Sequence, residues 1–311
     1  MNREGSENET PLRSAPHIPK SETRVVVAGD WHANIDWVGQ AIPSIAREAE
    51  EVRTILHTGD FGVWADTHGR KYLDAVDFWC EKAGISRVLV TPGNHEDWGW
   101  LDRKFNSQPG TPVALSSVVE VLPRGYRFQI GHKTFASFGG AASVDFESRL
   151  EGVSWFPAEL PTEHDVADAI NGGPTDVLLT HETIDGGTPA SEAVLRSNPL
   201  GWSPAALAYS SRSRALVTEA WAGIAPKLLF HGHMHAADAI TLPSGQQVTS
   251  LGRDGQAKNL ALLELSTLEW RWLDGLPKSP RVRRTRDWET QFMTRPESAD
   301  TGSPASAPDS T

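Results

Sequence analysis

Short apolar runs recur along the central part of the chain, and several end at a glycine or directly at a polar side chain. The runs are four to five residues long and rich in valine, isoleucine and leucine, which is typical of buried β-strands rather than of helices. We predict strands over residues 25–28, 54–58, 87–90, 177–180 and 227–230.

Helical spacing separates some of these runs. Apolar residues would share one helix face in three segments: Trp37, Ala41 and Ile45; Leu73, Val76 and Cys80; and Val217, Ala220, Trp221 and Ile224. Further strands are predicted over residues 118–122, 126–130, 133–138, 247–251 and 260–265, with a hairpin turn at Gly131-His132. Alternating strands and helices predict sheets sandwiched between helices, with ligand-binding loops at the carboxyl ends of the strands.

The two ends of the chain lack this periodicity. They are polar, and the last residues form a low-complexity stretch. We predict a disordered tail over residues 1–23, one domain over 24–277 and a second disordered tail over 278–311. The second tail carries an arginine cluster that would either contact RNA, an anionic lipid or an acidic partner, or simply be solvated: Arg281, Arg283, Arg284 and Arg286.

The charge balance restricts the partners of this 311-residue chain. A net charge of -11 opposes a nucleic-acid-binding surface, because nonspecific affinity comes mainly from cations that neutralise backbone phosphates. No apolar run approaches the length of a membrane helix, and the N-terminus lacks the apolar stretch of a secretory signal. We therefore expect a cytoplasmic protein without a membrane partner, while the sequence leaves the oligomeric state open.

Seven polar residues behind the predicted strands have the side chains that bind metals. Taken singly, each has a simpler explanation, because aspartate often caps a helix or turn, asparagine occupies turns, and a lone histidine usually lies at the surface. Together they favour metal binding, because so many imidazoles and carboxylates in one place need a compensating charge. The seven are Asp30, His32, Asp60, Asn94, His181, His233 and His235.

These residues stand in five blocks that occur in one order: Gly29-Asp30-Trp31-His32, Gly59-Asp60, Gly93-Asn94-His95-Glu96-Asp97, Thr180-His181 and Gly232-His233-Met234-His235. On these motifs the chain resembles the calcineurin-like metallophosphoesterase superfamily between about residues 25 and 265. The resemblance implies an α/β fold, a four-layer α/β/β/α sandwich with mixed sheets. It also implies a metal-dependent phosphoric ester hydrolase with a dinuclear metal centre.

The resemblance also implies a role for each residue. One divalent ion would be held by Asp30, His32, Asp60 and His235, and the other by Asp60, Asn94, His181 and His233. Asp60 would therefore bridge both ions, a hydroxide bridging the metals would attack phosphorus, and His95 would act as the general acid. The oxygen and nitrogen ligands suit Mn, Fe or Zn without choosing among them.

The sequence departs from the protein-phosphatase branch of this superfamily after Asp60. Phe61, Gly62, Val63 and Trp64 occupy the position of an Asp-Arg-Gly in that branch, so both the carboxylate that would orient His95 and the arginine that would bind phosphate are missing there. Glu96 or Asp97 would be alternatives for orientation. Arg149 would either contact a phosphate oxygen or pair with Asp145 at helical spacing.

These departures and the compact His233-Met234-His235 spacing fit the phosphodiesterase-like group better. The expected substrate is a small phosphate ester, nucleotides included, with tryptophans near the motif loops either packing or forming an aromatic rim: Trp31, Trp64, Trp98, Trp100 and Trp202. A different class of function also stays open, namely a catalytically silent, metal-stabilised binding or regulatory module. His231 is assigned a supporting or structural role rather than direct ligation.

Overall fold

The computed structural model of the chain describes residues 22–273. Its strands are β1 (Arg24–Ala28), β2 (Thr54–His57), β3 (Arg87–Val90), β4 (Val113–Ala114), β5 (Val119–Val121), β6 (Tyr126–Ile130), β7 (Lys133–Phe138), β8 (Val177–Thr180), β9 (Leu228–His231), β10 (Asp238–Thr241), β11 (Gln247–Ser250), β12 (Leu260–Glu264) and β13 (Trp270–Trp272). Its α-helices are α1 (Ile35–Glu48), α2 (Thr67–Ala83), α3 (Trp98–Ser107), α4 (Glu163–Asn171), α5 (Pro189–Ser197) and α6 (Pro204–Ile224), with short 3₁₀ turns at Phe146–Ser148 and Pro157–Glu159.

The strands form two mixed sheets. The first has seven strands in the order β13-β12-β1-β2-β3-β5-β4, and the second has six in the order β10-β11-β9-β8-β7-β6. In the first sheet β1, β2, β3 and β5 run parallel, as do β7, β8, β9 and β11 in the second. Parallel strands end at the same edge, so each sheet gathers the loops that follow its central strands.

Alternation of side chains along each strand builds the layers. In β1, Val25 and Val27 pack with residues of the second sheet such as Phe230, whereas Val26 and Ala28 pack with the buried faces of α1, α2 and α3. The outer face of the second sheet packs against α4 and α6. The layers are therefore helix, sheet, sheet and helix, and the predicted four-layer fold is confirmed.

Local signals explain where the helices begin and end. Asn34 caps α1 by accepting from the backbone N–H of Trp37, and Asp66 caps α2 in the same way. Gly84 ends α2 with a φ of 71°, a left-handed conformation that glycine adopts without a steric penalty. The buried residues of α1 include Trp37, Ala41 and Ile45, as the periodicity predicts.

The predicted tails lie outside the described residues apart from positions 22 and 23, and so does the arginine cluster of the second tail. The domain boundaries therefore stay a prediction. Glu22, the first described residue, is buried and accepts hydrogen bonds from Thr54 and Arg87. Among the described helices, none combines the length and apolarity needed to span a membrane.

Candidate metal centre

All seven predicted ligands lie in loops at the carboxyl ends of parallel strands. Asp30 and His32 follow β1, Asp60 follows β2, Asn94 follows β3, His181 follows β8, and His233 and His235 follow β9. The strands belong to both sheets, so residues up to 205 positions apart in sequence reach one edge of the fold.

Four of the seven residues form a compact group. Asp30, His32, Asp60 and His235 each offer a ligand atom, and these atoms lie within 4.8 Å of one another. Asp30 Oδ1 lies 3.4 Å from His235 Nε2, and Asp60 Oδ2 lies 3.4 Å from His32 Nε2. This set is the one that the resemblance assigns to the first cation.

A second group surrounds His181. Its Nε2 lies 3.2 Å from Asp60 Oδ1 and 3.1 Å from Asn94 Oδ1. The ring of His233 lies beside it, with the ring centroids 5.1 Å apart, although His233 Nε2 also lies 3.9 Å from the buried Glu182. Asp60 thus has one carboxylate oxygen toward each group, as a bridging ligand requires.

Hydrogen bonds fix which nitrogen of two histidines faces the centre. His181 Nδ1 lies 2.7 Å from the carbonyl oxygen of Thr58, and His32 Nδ1 lies 3.1 Å from Asp254 Oδ1. Each of these oxygens accepts the Nδ1 proton, which leaves the Nε2 lone pair for a cation. Asp254 also accepts from the Asn34 side chain at 2.6 Å.

The backbone is strained at most of these positions. Asp30, His32, Asp60, His233 and His235 have φ values of 41°, 48°, 51°, 64° and 51°. Such conformations cost on the order of 1–3 kcal/mol each outside glycine and cluster at functional sites. The surrounding loops therefore hold the side chains in place at a cost in stability.

Glycines in the motifs permit the close approach of these loops. Gly59 has a φ of 99°, and a Cβ there would lie 2.4 Å from His181 Nδ1. A Cβ on Gly93 would lie 2.3 Å from Asp60 Oδ1. A side chain at either position would displace a predicted ligand. Steric crowding therefore explains why glycine precedes Asp60 and Asn94.

The cluster has strongly displaced pKa values. Burial raises the pKa of Asp60, but the nearby His181 and His95 lower it by more. The net pKa of Asp60 therefore lies well below its usual range. Burial lowers the pKa of His181, yet Asp60 and Asp30 raise it to about 10. A cation that bound at His181 would therefore displace a proton from its Nε2.

The donor set fits divalent cations. Asp30 is fully buried, and its Oδ2 has no hydrogen-bond partner among the described residues. A buried carboxylate oxygen without a partner is costly unless a positive ion binds it. Mixed imidazole, carboxylate and amide ligands suit Mn, Fe or Zn.

His95 lies at the edge of the centre. Its backbone N–H donates to Asp60 Oδ1 at 2.9 Å, and its Nε2 lies 3.9 Å from Asp60 Oδ2. Arg149 Nη2 lies 3.2 Å from His95 Nδ1 and 3.4 Å from His95 Nε2, so the guanidinium is in direct contact with the imidazole. Burial, opposed by Asp60 and reinforced by Arg149, holds the pKa of His95 well below its usual value.

Arg149 forms the pair with Asp145 that one of the two sequence alternatives predicts, and it also lies beside His95. It forms an ion pair with Asp145 at 2.8 Å, and its Nη1 donates to the carbonyl oxygen of Ser154 at 3.1 Å. Its side chain is only 10% exposed and also contacts His95. The Asp145 pair is therefore an anchor that holds the arginine at the site.

Glu96 and Asp97 have other partners than the imidazole of His95. Glu96 is buried and accepts from the backbone N–H groups of Phe61, Gly62 and Gly93. Asp97 caps α3. Glu96 thus joins the segment after Asp60 to the loop that carries Asn94 and His95.

Sequence reasoning missed a supporting network beyond Asn94. The Asn94 side-chain amide donates to Ser143 Oγ at 3.1 Å, and the Ser143 hydroxyl donates to Glu159 Oε2 at 2.8 Å. Glu159 is fully buried, and burial raises its pKa to about 8 against the hydrogen bonds from Ser143. Ser143 follows a Gly-Gly-Ala-Ala run in the sequence, and nothing in that pattern indicates that its hydroxyl contacts Asn94.

The remaining histidine and tryptophans near the centre are mostly packed. His231 is buried, with its Nε2 3.3 Å from Thr183 Oγ1. Trp31 and Trp98 have essentially no exposed surface, so neither contributes to an aromatic rim.

Replacing Asp254 with asparagine should selectively weaken the cation position that contains His32. The neutral amide removes the charge that stabilises the Nδ1–H tautomer, so we expect affinity there to fall by about 10–100-fold. Calorimetric titration of the metal-depleted protein with Mn²⁺ measures this. Asp168→Asn, at an exposed carboxylate of α4, is the matched control, and equal affinities in the two variants would refute the role of Asp254.

Comparisons with known proteins agree with the architecture. The family model for calcineurin-like phosphoesterases matches residues 23–237. One solved crystal structure is 12% identical, with a TM-score of 0.51, and the match covers 80% of this chain and 97% of that chain. A search of curated protein sequences found no match.

Two further solved structures are similar over most of their length. One is the protein TT1561 of Thermus thermophilus, with 12% identity, a TM-score of 0.48 and coverage of 81% of this chain and 98% of that one. The other is a dimetal phosphatase from Danio rerio, with 13% identity, a TM-score of 0.47 and coverage of 78% and 93%. The family match extends over residues 23–237 of 311, and on that match the chain belongs to the calcineurin-like phosphoesterase family.

Proposed function

We propose that the protein is a dinuclear metal-dependent hydrolase of phosphate esters. The observation that carries the proposal is the position of Asp60, whose two oxygens lie 3.4 Å from His32 Nε2 and 3.2 Å from His181 Nε2. A carboxylate between two imidazole-containing groups is the arrangement that a bridging ligand needs. Two divalent cations held there would activate a water for attack on phosphorus and offset the charge of the phosphate.

His95 acts at the leaving-group side in this proposal. Its lowered pKa means that the resting imidazole is neutral, and a neutral ring still carries one N–H that can donate to the leaving oxygen. The negative charge of a bound phosphate raises the pKa of a nearby imidazole and so favours the protonated acid. His95 thereby stabilises or protonates the departing oxygen.

Arg149 contributes a positive charge beside His95. Asp145 holds its Nε and Ser154 its Nη1, while Nη2 faces the imidazole. A guanidinium in this place can donate to a nonbridging phosphate oxygen. We propose that it substitutes for the arginine missing after Asp60.

The substrate that we propose is a small, phosphodiesterase-type ester, nucleotides included. The absence of the phosphatase Asp-Arg pair after Asp60 and the compact His233-Met234-His235 block support this group. Trp64, Trp100 and Trp202 are partly exposed, and aromatic side chains of this kind pack well against an organic leaving group.

Reconstitution tests the proposal directly. We expect metal-depleted protein to be inactive and separate loading with Mn²⁺, Fe²⁺ or Zn²⁺ to restore hydrolysis of aryl phosphate monoesters or diesters, with chelation abolishing it again. If the protein bound two cations but hydrolysed no ester in a broad panel, the proposed enzymatic activity would be contradicted. That result would favour the silent binding module, and deletion of the chain after Pro277 would then test whether the tail captures a partner.

A further inference from the structure

A buried acidic side chain lies beyond the predicted ligands. Glu159 ends the 3₁₀ turn that precedes α4 and is 0% exposed. Its Oε1 accepts from the Ser143 backbone N–H at 2.6 Å, from Trp155 Nε1 at 3.1 Å and from the Tyr209 hydroxyl at 3.1 Å. Its Oε2 accepts from the Ser143 hydroxyl at 2.8 Å.

These hydrogen bonds determine which group donates and which accepts in the series Glu159, Ser143 and Asn94. At a pH above its raised pKa of about 8, Glu159 is ionised and can only accept, so the single hydroxyl proton of Ser143 points to it. The lone pairs of Ser143 Oγ are then available to the Asn94 amide, which donates Nδ2–H at 3.1 Å. Asn94 Oδ1 consequently faces away from Ser143, and it lies 3.1 Å from His181 Nε2.

Shape alone does not select this orientation. The oxygen and nitrogen of an asparagine side chain occupy nearly the same volume, so only hydrogen bonding distinguishes the two flipped states. If Ser143 donated to Asn94 Oδ1, the amide NH₂ would face the centre. An NH₂ group has no lone pair to offer and repels a cation, so the ligand would be lost.

We propose that Glu159 is a positioning residue that, through Ser143, turns the carbonyl oxygen of Asn94 toward the second cation. The inference rests on the proposed function in one respect, that Asn94 is a ligand of that cation. Within the described part of the chain, the Glu159 carboxyl hydrogen-bonds to Ser143, Trp155 and Tyr209 and to none of the seven predicted ligands. Glu159 acts by accepting the hydrogen bond of the Ser143 hydroxyl, which leaves Ser143 Oγ to accept from Asn94.

Glu159→Gln is the sharpest test because it preserves volume and replaces an acceptor by a donor. If the nitrogen of the introduced amide faces Ser143, the hydroxyl proton becomes free to point to Asn94 Oδ1. In calorimetric titrations of the full chain with Mn²⁺, at a pH above the pKa of Glu159, we expect wild-type protein to bind two cations. In Glu159→Gln we expect the second to bind about 10–100-fold more weakly and the first to be unchanged.

Two further variants make the result decisive. Tyr209→Phe removes one donor to Glu159 but leaves the Ser143 link intact, so it should bind both cations like wild type. Ser143→Ala removes the link and retains Glu159, so it should show the same selective loss as Glu159→Gln, and it decides the question if Glu159→Gln does not fold. Unchanged second-site affinity in a folded Glu159→Gln or Ser143→Ala variant, or equal weakening in Tyr209→Phe, would overturn the positioning role. Fewer than two cations in wild-type protein would instead contradict the proposed dinuclear centre.

Discussion

Replacing Asp60 with asparagine is expected to abolish hydrolysis, because the substitution weakens both cation positions at once. One Asp60 oxygen faces His32 and the other faces His181, and the side chain is only 2% exposed. Asparagine keeps the volume but loses the negative charge and turns an NH₂ toward one of the two positions. The loss of affinity should exceed the roughly 10–100-fold cost of removing a carboxylate that only supports a ligand.

Metal analysis separates this variant from the others. After dialysis, we expect Asp60→Asn to retain less than one equivalent of either cation. Asp254→Asn should weaken binding at one position only. Asp168→Asn, at an exposed helix position, should bind both cations like wild type. The Asp60 variant should also show no ester hydrolysis above background at metal concentrations that saturate wild type. Loss of a single cation, or a rate close to wild type, would show that Asp60 does not bridge.

The fold and the seven candidate ligands were accessible from sequence for a local reason. A short apolar run followed directly by glycine and a polar residue marks the end of a buried strand, and in a sheet with parallel neighbours such ends converge. Asp30 and Asp60 follow buried strands in this way, whereas His181 follows β8 directly, without a glycine. The hairpin at Gly131 is equally local and is confirmed by the pairing of Ile130 with Lys133.

The supporting residues had no comparable signal. Asp254 stands 222 positions from His32, and the family match ends before it, at residue 237. Its contact depends on how the loop before β12 returns over the first sheet, which no local pattern encodes. Glu159 likewise reaches Asn94 only through Ser143, so neither spacing nor charge along the chain points to it.

The spacing of apolar residues did not predict α3 and α5, because few residues in these helices are buried. In α3 only Trp98 and Leu101 are buried, and in α5 only Ser191, so an apolar stripe is nearly absent. Their capping residues did carry a signal, since Thr188 precedes Pro189 at the start of α5. Caps would therefore have located helices that hydrophobic spacing could not.

The two kinds of histidine at the centre should fail in different ways. His181 has its Nδ1 proton committed to Thr58 and its Nε2 turned to Asp60 and Asn94, as a ligand requires. His95 instead contacts the Arg149 guanidinium, and its Nε2 lies 3.9 Å from Asp60. Removing the His95 ring should therefore leave the cations in place and affect only the chemical step.

His95→Ala is expected to retain two cations and to slow hydrolysis by roughly 10²–10⁴-fold. The loss should be largest for poor alkoxide leaving groups, which need a proton or a hydrogen bond to depart, and smallest for nitrophenolate, which leaves as a stable anion. Rates for a series of esters that differ in leaving-group pKa measure this, and His164→Ala, at an 84% exposed side chain, should leave every rate unchanged. If His95→Ala lost a cation, His95 would be a ligand. If it slowed all esters equally, the ring would act with Arg149 in binding the phosphate, because a group that contacts only nonbridging oxygens does not sense the basicity of the departing one.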